Sequence, residues 1–117
     1  MPNLAEAACG AATALGRIGN KSAVSALLDA ASSQHDRSLE HALIYALIEI
    51  GDPGSTAGGL KAASPFARRA ALVALDQMEG GNLQPEMIVP LLSSSDLVLK
   101  ETAVWIASQH PKWGKEL

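Results

Sequence analysis

The stretch LEHALIYALIEI, Leu39–Ile50, decides the fold, because its pattern of apolar residues returns along the chain. Within it, apolar residues recur at intervals of three and four, as on one face of an amphipathic helix. The last position of the pattern recurs at spacings of 32, 28 and 32 residues and is occupied by Ile18, Ile50, Met78 and His110. Such periods are typical of solenoids, in which each unit buries its apolar face against neighbouring units. The sequence therefore predicts a stack of similar helical units.

The composition predicts an all-α protein. Hydrophobic residues make up 48% of the 117 residues, but aromatic residues only 3%, so the apolar fraction is mainly Ala, Leu, Ile and Val. Ala and Leu are strong helix formers, and a low aromatic content is unusual for a sheet. A chain of this length is enough for one domain, so residues 1–117 are expected to form a single repeat domain.

Glycine, proline and capping residues divide the chain into about seven helices. Short and long helices alternate, which gives three pairs preceded by one unpaired long helix. The predicted helices are Leu4–Ile18, Lys21–Ser32, Arg37–Ile50, Pro53–Ala63, Pro65–Glu79, Pro85–Ser93, and a last helix that Ser94–Asp96 caps and that ends near His110–Pro111.

Two of the short helices contain residues that disfavour a regular helix. Gly54, Gly58 and Gly59 predict that the fourth helix is short or irregular, because each interior glycine costs about 1 kcal/mol relative to alanine. Pro90 is expected to kink the sixth helix or to limit it to a turn or two. The pairs Gly58–Gly59 and Gly80–Gly81 are interpreted as turns and points of flexibility, not as phosphate-binding loops.

The segment ALGRIGNKSAVSALLDAA, Ala14–Ala31, resembles the consensus of short HEAT-like repeats of the bilin-lyase type. In that consensus a long helix ends in a glycine-containing turn and a second helix follows. The resemblance implies a right-handed α-solenoid of HEAT-like helical hairpins whose surface binds other proteins. No residue of the bilin lyases' chemistry has a counterpart here, so no catalytic role is implied.

Three longer segments resemble the HEAT region of large proteins from planctomycete-type bacteria: Leu39–Pro53, Arg68–Glu86 and Glu101–Gly114. In those proteins a sugar-dehydrogenase-like propeller and a c-type cytochrome domain flank the repeats. The chain would then be an excised piece of a longer protein. It has no C-x-x-C-H motif, so no haem and no other cofactor is expected.

The two ends of the predicted stack lack capping units. Solenoids need polar capping repeats to cover their terminal units. Here Leu4, Ala8 and Leu15 would be poorly covered at one end, and Trp113 and Leu117 at the other. We therefore expect the ends to associate with flanking domains of a parent protein or with a second copy of the chain, as in a homodimer.

Charge and motif content narrow the function classes. The net charge is −3, and the nine Lys and Arg residues form no basic stripe, which disfavours nucleic acid as a partner. No apolar run is long enough to span a membrane, and no signal peptide is expected, so the localisation stays open. The single cysteine, Cys9, excludes an internal disulfide, and the dispersed histidines show no metal-ligand spacing. Without a catalytic motif, the chain is not expected to be an enzyme.

In HEAT-like stacks the second helix of each pair lines the concave face, and this resemblance assigns the candidate binding residues. Equivalent positions of the long helices form columns with the same 32- and 28-residue spacings, and Tyr, Trp and Arg in them are typical of binding hot spots. The candidates are His41, Tyr45, Glu49, Arg69, Val73, Gln77, Glu101 and Trp105.

The expected function is a non-catalytic scaffold for protein–protein interaction, and alternatives remain open. Tyr45 and Trp105 could instead simply fill grooves between repeats. A self-associating structural spacer between domains is a second function, supported by the uncapped ends. A nucleic-acid-binding solenoid is a third, supported by basic residues on the same helices and opposed by nearby acidic ones. Its candidate residues are Arg17, Arg37, Arg68, Arg69 and Trp105.

Overall fold

The computed structural model describes residues 10–112 except 12, 15, 20–22, 33–36 and 82. All regular secondary structure in this part of the chain is helical. The described residues between 10 and 18 are helical and are called α1. The others are α2 (Ala23–Ala31), α3 (Arg37–Ile50), α4 (Pro53–Ala57), a 3-10 turn (Gly58–Lys61), α5 (Pro65–Gln77), α6 (Pro85–Leu92) and α7 (Leu97–Ser108).

Glycine ends two of the long helices, α1 and α3, as the sequence predicts. Gly19 and Gly51 have φ angles of 71° and 65°, in the left-handed region that glycine adopts without steric cost. The end of α5 differs from the prediction. That helix stops at Gln77 and not at Glu79, because the buried Met78 turns into extended backbone with ψ 148°.

Side-chain caps begin two of the helices. The Ser64 hydroxyl accepts from the amide of Phe66 at 3.2 Å, and the Asp96 carboxylate accepts from the amides of Val98 and Leu99. Asp52 stands at the predicted N-cap position of α4 but makes no capping bond to the backbone. Its carboxylate instead accepts a hydrogen bond from the Ser55 hydroxyl.

The fourth helix is irregular, as predicted, but its glycines differ in role from the prediction. The α-helical part is five residues long and continues as the 3-10 turn. Gly59 is buried, and a Cβ there would lie 2.8 Å from the Cβ of Ala71 and 2.9 Å from Cδ2 of Leu28. Gly59 is therefore a close-packing residue and not a point of flexibility.

Gly81 also permits a close approach that the sequence did not predict. A Cβ at this position would lie 2.0 Å from the carbonyl oxygen of Leu75. The neighbouring Gly80, with φ 77°, is a turn glycine, as predicted.

The helices form three hairpins that stack in chain order. Within the hairpins, α2 packs on α3, α4 and the 3-10 turn pack on α5, and α6 packs on α7. Between them, α5 contacts both α3 and α7, so the long helices lie side by side in one row. Gly16 places α1 against α3, because a Cβ there would lie 2.9 Å from Cα of Ala46. This arrangement is consistent with the expected α-solenoid.

The buried apolar residues form two clusters, and each cluster is shared by neighbouring hairpins. One buried cluster joins α2, α3 and α5, and a second joins Leu72 of α5 to Ile88 of α6 and to α7. Leu60 and Leu83 pack against both clusters. Each hairpin thus buries its apolar face against the next one, as in a repeat stack.

Some residues of the sequence predictions lie outside the described residues. They are Cys9 and the residues expected to be uncovered at the ends: Leu4, Ala8, Leu15, Trp113 and Leu117.

Across the described helices, none combines the length and the apolar character needed to cross a bilayer.

Candidate functional site

The long helices α3, α5 and α7 enclose a groove of about 740 Å³. The groove lies on the row of long helices, where α5 contacts α3 on one side and α7 on the other. Twelve of the described residues line it: Glu40, His41, Ala42, Ile44, Tyr45, Ile48, Arg69, Val73, Val98, Glu101, Thr102 and Trp105.

Six of the eight candidate residues line this groove. They are His41, Tyr45, Arg69, Val73, Glu101 and Trp105. The spacing of the repeats thus brings side chains from three helices to one surface. Whether this surface binds a partner stays a prediction.

Glu49 and Gln77 do not line the groove. Each follows a groove residue, Tyr45 or Val73, by four positions and so lies about 6 Å further along its helix. Both side chains are exposed, and Gln77 donates a hydrogen bond to Asp76 at 2.9 Å. The groove therefore ends before the last turns of α3 and α5.

Aliphatic and aromatic side chains form most of the groove surface. Ile44 is buried, and Ile48 and Val73 are half-buried, so these three residues form an apolar floor. Tyr45 and Trp105 are exposed at 61% and 46%, although both belong to residue types that favour burial. The groove therefore combines an apolar floor with two aromatic rings that water reaches.

Arg69 is engaged within the protein. Its Nη2 donates to Oε2 of Glu40 at 2.7 Å, which joins α5 to α3 across the groove wall. Its guanidinium carbon also lies 5.4 Å from the centre of the Phe66 ring, within the range of a cation–π contact. Arg69 thus links two repeats while it lines the groove, and its expected contact with a partner stays a prediction.

The other polar groups of the groove differ in whether they are already hydrogen-bonded within the protein or exposed to solvent. The Thr102 hydroxyl donates to the carbonyl oxygen of Val98 at 2.7 Å, so it already has an intrahelical acceptor. His41 and Glu101 are exposed. In the described part of the chain, no group of three or more His, Cys, Asp and Glu side chains is placed to hold a metal ion. The groove is thus suited to contact apolar surface, with a carboxylate on α7 available to a basic group.

Sequence reasoning missed half of the groove residues: Glu40, Ala42, Ile44, Ile48, Val98 and Thr102. Ile44 and Ile48 carried a usable signal, since each lies three residues after a candidate, His41 or Tyr45, on the same face of α3. Glu40 carried no such signal. Its partner Arg69 is 29 residues away, and their contact depends on how closely α3 and α5 approach.

A comparison with family profiles supports the class of helical repeat that the stacked hairpins indicate. Residues 7–33 match the profile described as PBS lyase HEAT-like repeat. The resemblance to short HEAT-like repeats is therefore confirmed for this segment, which carries the signature of a repeat motif and not of a catalytic domain. Comparison with curated proteins gives no significant match. The resemblance to planctomycete-type proteins receives no support from these comparisons and stays a prediction.

Proposed function

We propose that the chain is a non-catalytic scaffold that binds a segment of another protein in the groove between α3, α5 and α7. The observation that carries this proposal is the exposure of Tyr45 and Trp105 beside an apolar floor. Exposed apolar patches on a folded protein mark interaction sites, and Tyr and Trp dominate the energetics of interfaces.

The groove chemistry favours a particular kind of segment. Apolar side chains of the partner would cover Ile48 and Val73 and stack on the two aromatic rings. The carboxylate of Glu101 is exposed on α7, whereas the positive charge of Arg69 is already paired with Glu40. The segment is therefore expected to be apolar and to carry a Lys or Arg that reaches Glu101.

The same charges support protein over nucleic acid as the partner. Phosphate contacts supply most of the affinity of nucleic-acid binding. Among the described residues that line the groove, Arg69 stands beside the carboxylates of Glu40 and Glu101, and Glu40 neutralises it. A phosphate backbone would therefore gain little binding free energy in the groove.

A display library of random peptides, selected on the wild-type protein, tests this proposal. A selected peptide is synthesised with a fluorophore, and its affinity is measured by titration. The double variant Tyr45→Ala/Trp105→Ala is expected to weaken binding at least tenfold, about 1.4 kcal/mol, because it removes both exposed rings of the groove.

The matched control is Met87→Ala/Val89→Ala, which removes two exposed apolar side chains of α6 that do not line the groove. This variant is expected to bind the selected peptide like the wild type. Equal affinity of the Tyr45→Ala/Trp105→Ala variant for the selected peptides would rule out the groove as the binding surface. Circular dichroism checks that both double variants remain folded.

A further inference from the structure

The outer face of α7 carries exposed apolar side chains. Leu97 and Val104 are exposed on it, and Lys100 and Ser108 lie beside them around a surface depression of about 540 Å³. This face lies on the last described helix of the row. It adjoins the groove, since Glu101 and Trp105 line both, but it does not include Ile48 and Val73 of the groove floor.

The positions equivalent to Val104 are buried in the preceding repeats. Ile44 of α3 is exposed at 8% and Leu72 of α5 at 2%, whereas Val104 is exposed at 53%. The next long helix of the row packs on α3 and on α5. No described helix packs in the same way on the outer face of α7. Val104 thus stands at an interface position of the repeat, and no described helix covers it as the next long helix covers its equivalents.

The opposite end of the row shows the complementary surface. Gly10 and Ala14 of α1 are exposed, whereas their equivalents in α5, Ala70 and Ala74, are buried. In the interior of the stack, Ala70 and Ala74 share one buried cluster with Ile44 of α3. At the interface between α3 and α5, one large and two small side chains therefore belong to the same buried cluster, whereas between α5 and α7 Leu72 shares its cluster with Ile106.

A large apolar residue at the end of α1 fits the same pattern. Ile18 is exposed at 70%, whereas the equivalent Met78 after α5 is exposed at 5% and belongs to the core. The described part of the chain therefore shows two incomplete halves of one interface: a face with a large residue on α7 and a face with small residues on α1.

We propose that two copies of the chain associate head to tail, with the outer face of α7 from one copy packed on α1 of the next. This contact would continue the row and would match the interface between α3 and α5 in the sizes of its side chains. Val104 would pack on Gly10 and Ala14 of the second copy, the positions equivalent to Ala70 and Ala74, which share a buried cluster with Ile44. Because the two faces differ, each copy keeps one free face, and the assembly grows with concentration unless it closes into a ring.

Head-to-tail packing accounts for the two faces better than a symmetric contact between two α7 helices. A symmetric dimer would place Val104 of one copy against the α7 face of the other. That contact would lack the small residues that accept Ile44 inside the stack. It would also leave Ile18 and the exposed positions of α1 uncovered.

The test uses two variants that each block one face: Val104→Glu on α7 and Ala14→Glu on α1. Both positions are exposed, so neither substitution places a charge in the core. Sedimentation equilibrium of the wild type is expected to show a mass that rises with concentration. Each variant alone is expected to remain a monomer, because it retains only one of the two faces.

A one-to-one mixture of the two variants decides the orientation. The intact α7 face of Ala14→Glu and the intact α1 face of Val104→Glu are expected to form a dimer that does not grow further. Dimerisation of Ala14→Glu by itself would instead show a symmetric α7 contact and overturn the proposal. A wild type that stays monomeric up to millimolar concentration would also overturn it.

The controls are Ala26→Glu and Met87→Glu, which add the same charge at exposed positions of α2 and α6. Both are expected to associate like the wild type, and loss of association in either would overturn the assignment to α1 and α7. Ala14 and Val104 do not line the groove, so neither substitution changes a groove residue. Glu101 and Trp105 line both the groove and the depression on α7, so association is measured in the absence of peptide.

Discussion

Replacing Gly59 by valine is expected to lower the free energy of unfolding by about 1–3 kcal/mol, the range of an overpacked core. The Cβ alone would lie 2.8 Å from the Cβ of Ala71 and 2.9 Å from Cδ2 of Leu28. The Ala71 methyl group belongs to a buried helix and has no rotamer into which it could move. The 3-10 turn would then separate from α5 and α2. Urea unfolding, monitored by circular dichroism, measures the change in the free energy of unfolding.

The adjacent Gly58 provides a matched control. It has φ −57°, which any residue adopts, and a Cβ there would meet no atom within 4 Å. Gly58→Ala is therefore expected to raise the free energy of unfolding by about 0.5–1 kcal/mol, since alanine restricts the unfolded chain. If Gly59→Val unfolded at the same urea concentration as the wild type, the assignment of Gly59 as a close-packing residue would be wrong.

This contrast shows what the sequence could predict about the fold. The bounds of α3, Arg37–Ile50, were predicted because a strong apolar period ends at a glycine that has a positive φ angle. The irregularity of the fourth helix followed from its glycine content. Which glycine packs closely could not be predicted, because it depends on Leu28 and Ala71, residues of two other helices.

The candidate site, like the fold, has features that the sequence predicts and others that depend on how closely the helices approach. The repeat spacing places Tyr45, Val73 and Trp105 at equivalent positions, and the structure brings all three to one groove. The length of the groove is not encoded in that spacing, so Glu49 and Gln77 were included although they lie beyond it. The pairing of Arg69 with Glu40 was missed because it depends on the distance between two helices.

A polar pair at the end of α7 is expected to be the second large contributor to stability. Nε2 of His110 contacts Oδ1 of Asp76, whose side chain is only 2% exposed, and Gln77 contacts the other carboxylate oxygen. His110→Ala would leave this buried carboxylate with one partner fewer. We expect the free energy of unfolding to fall by about 1–3 kcal/mol. His41→Ala, which removes an exposed histidine, is expected to change it little.

The repeat pattern supplies a replacement for this pair. The positions equivalent to Asp76 and His110 hold Ile48 and Met78 one repeat earlier, and both belong to or pack against the first core cluster. The double variant Asp76→Ile/His110→Met would thus place an apolar pair where the stack already uses one. Because an apolar pair avoids the desolvation of a buried charge, we expect this variant to match or exceed the wild type in urea unfolding. A double variant less stable than His110→Ala would show that the second repeat interface requires its polar pair, and that the two interfaces are not equivalent.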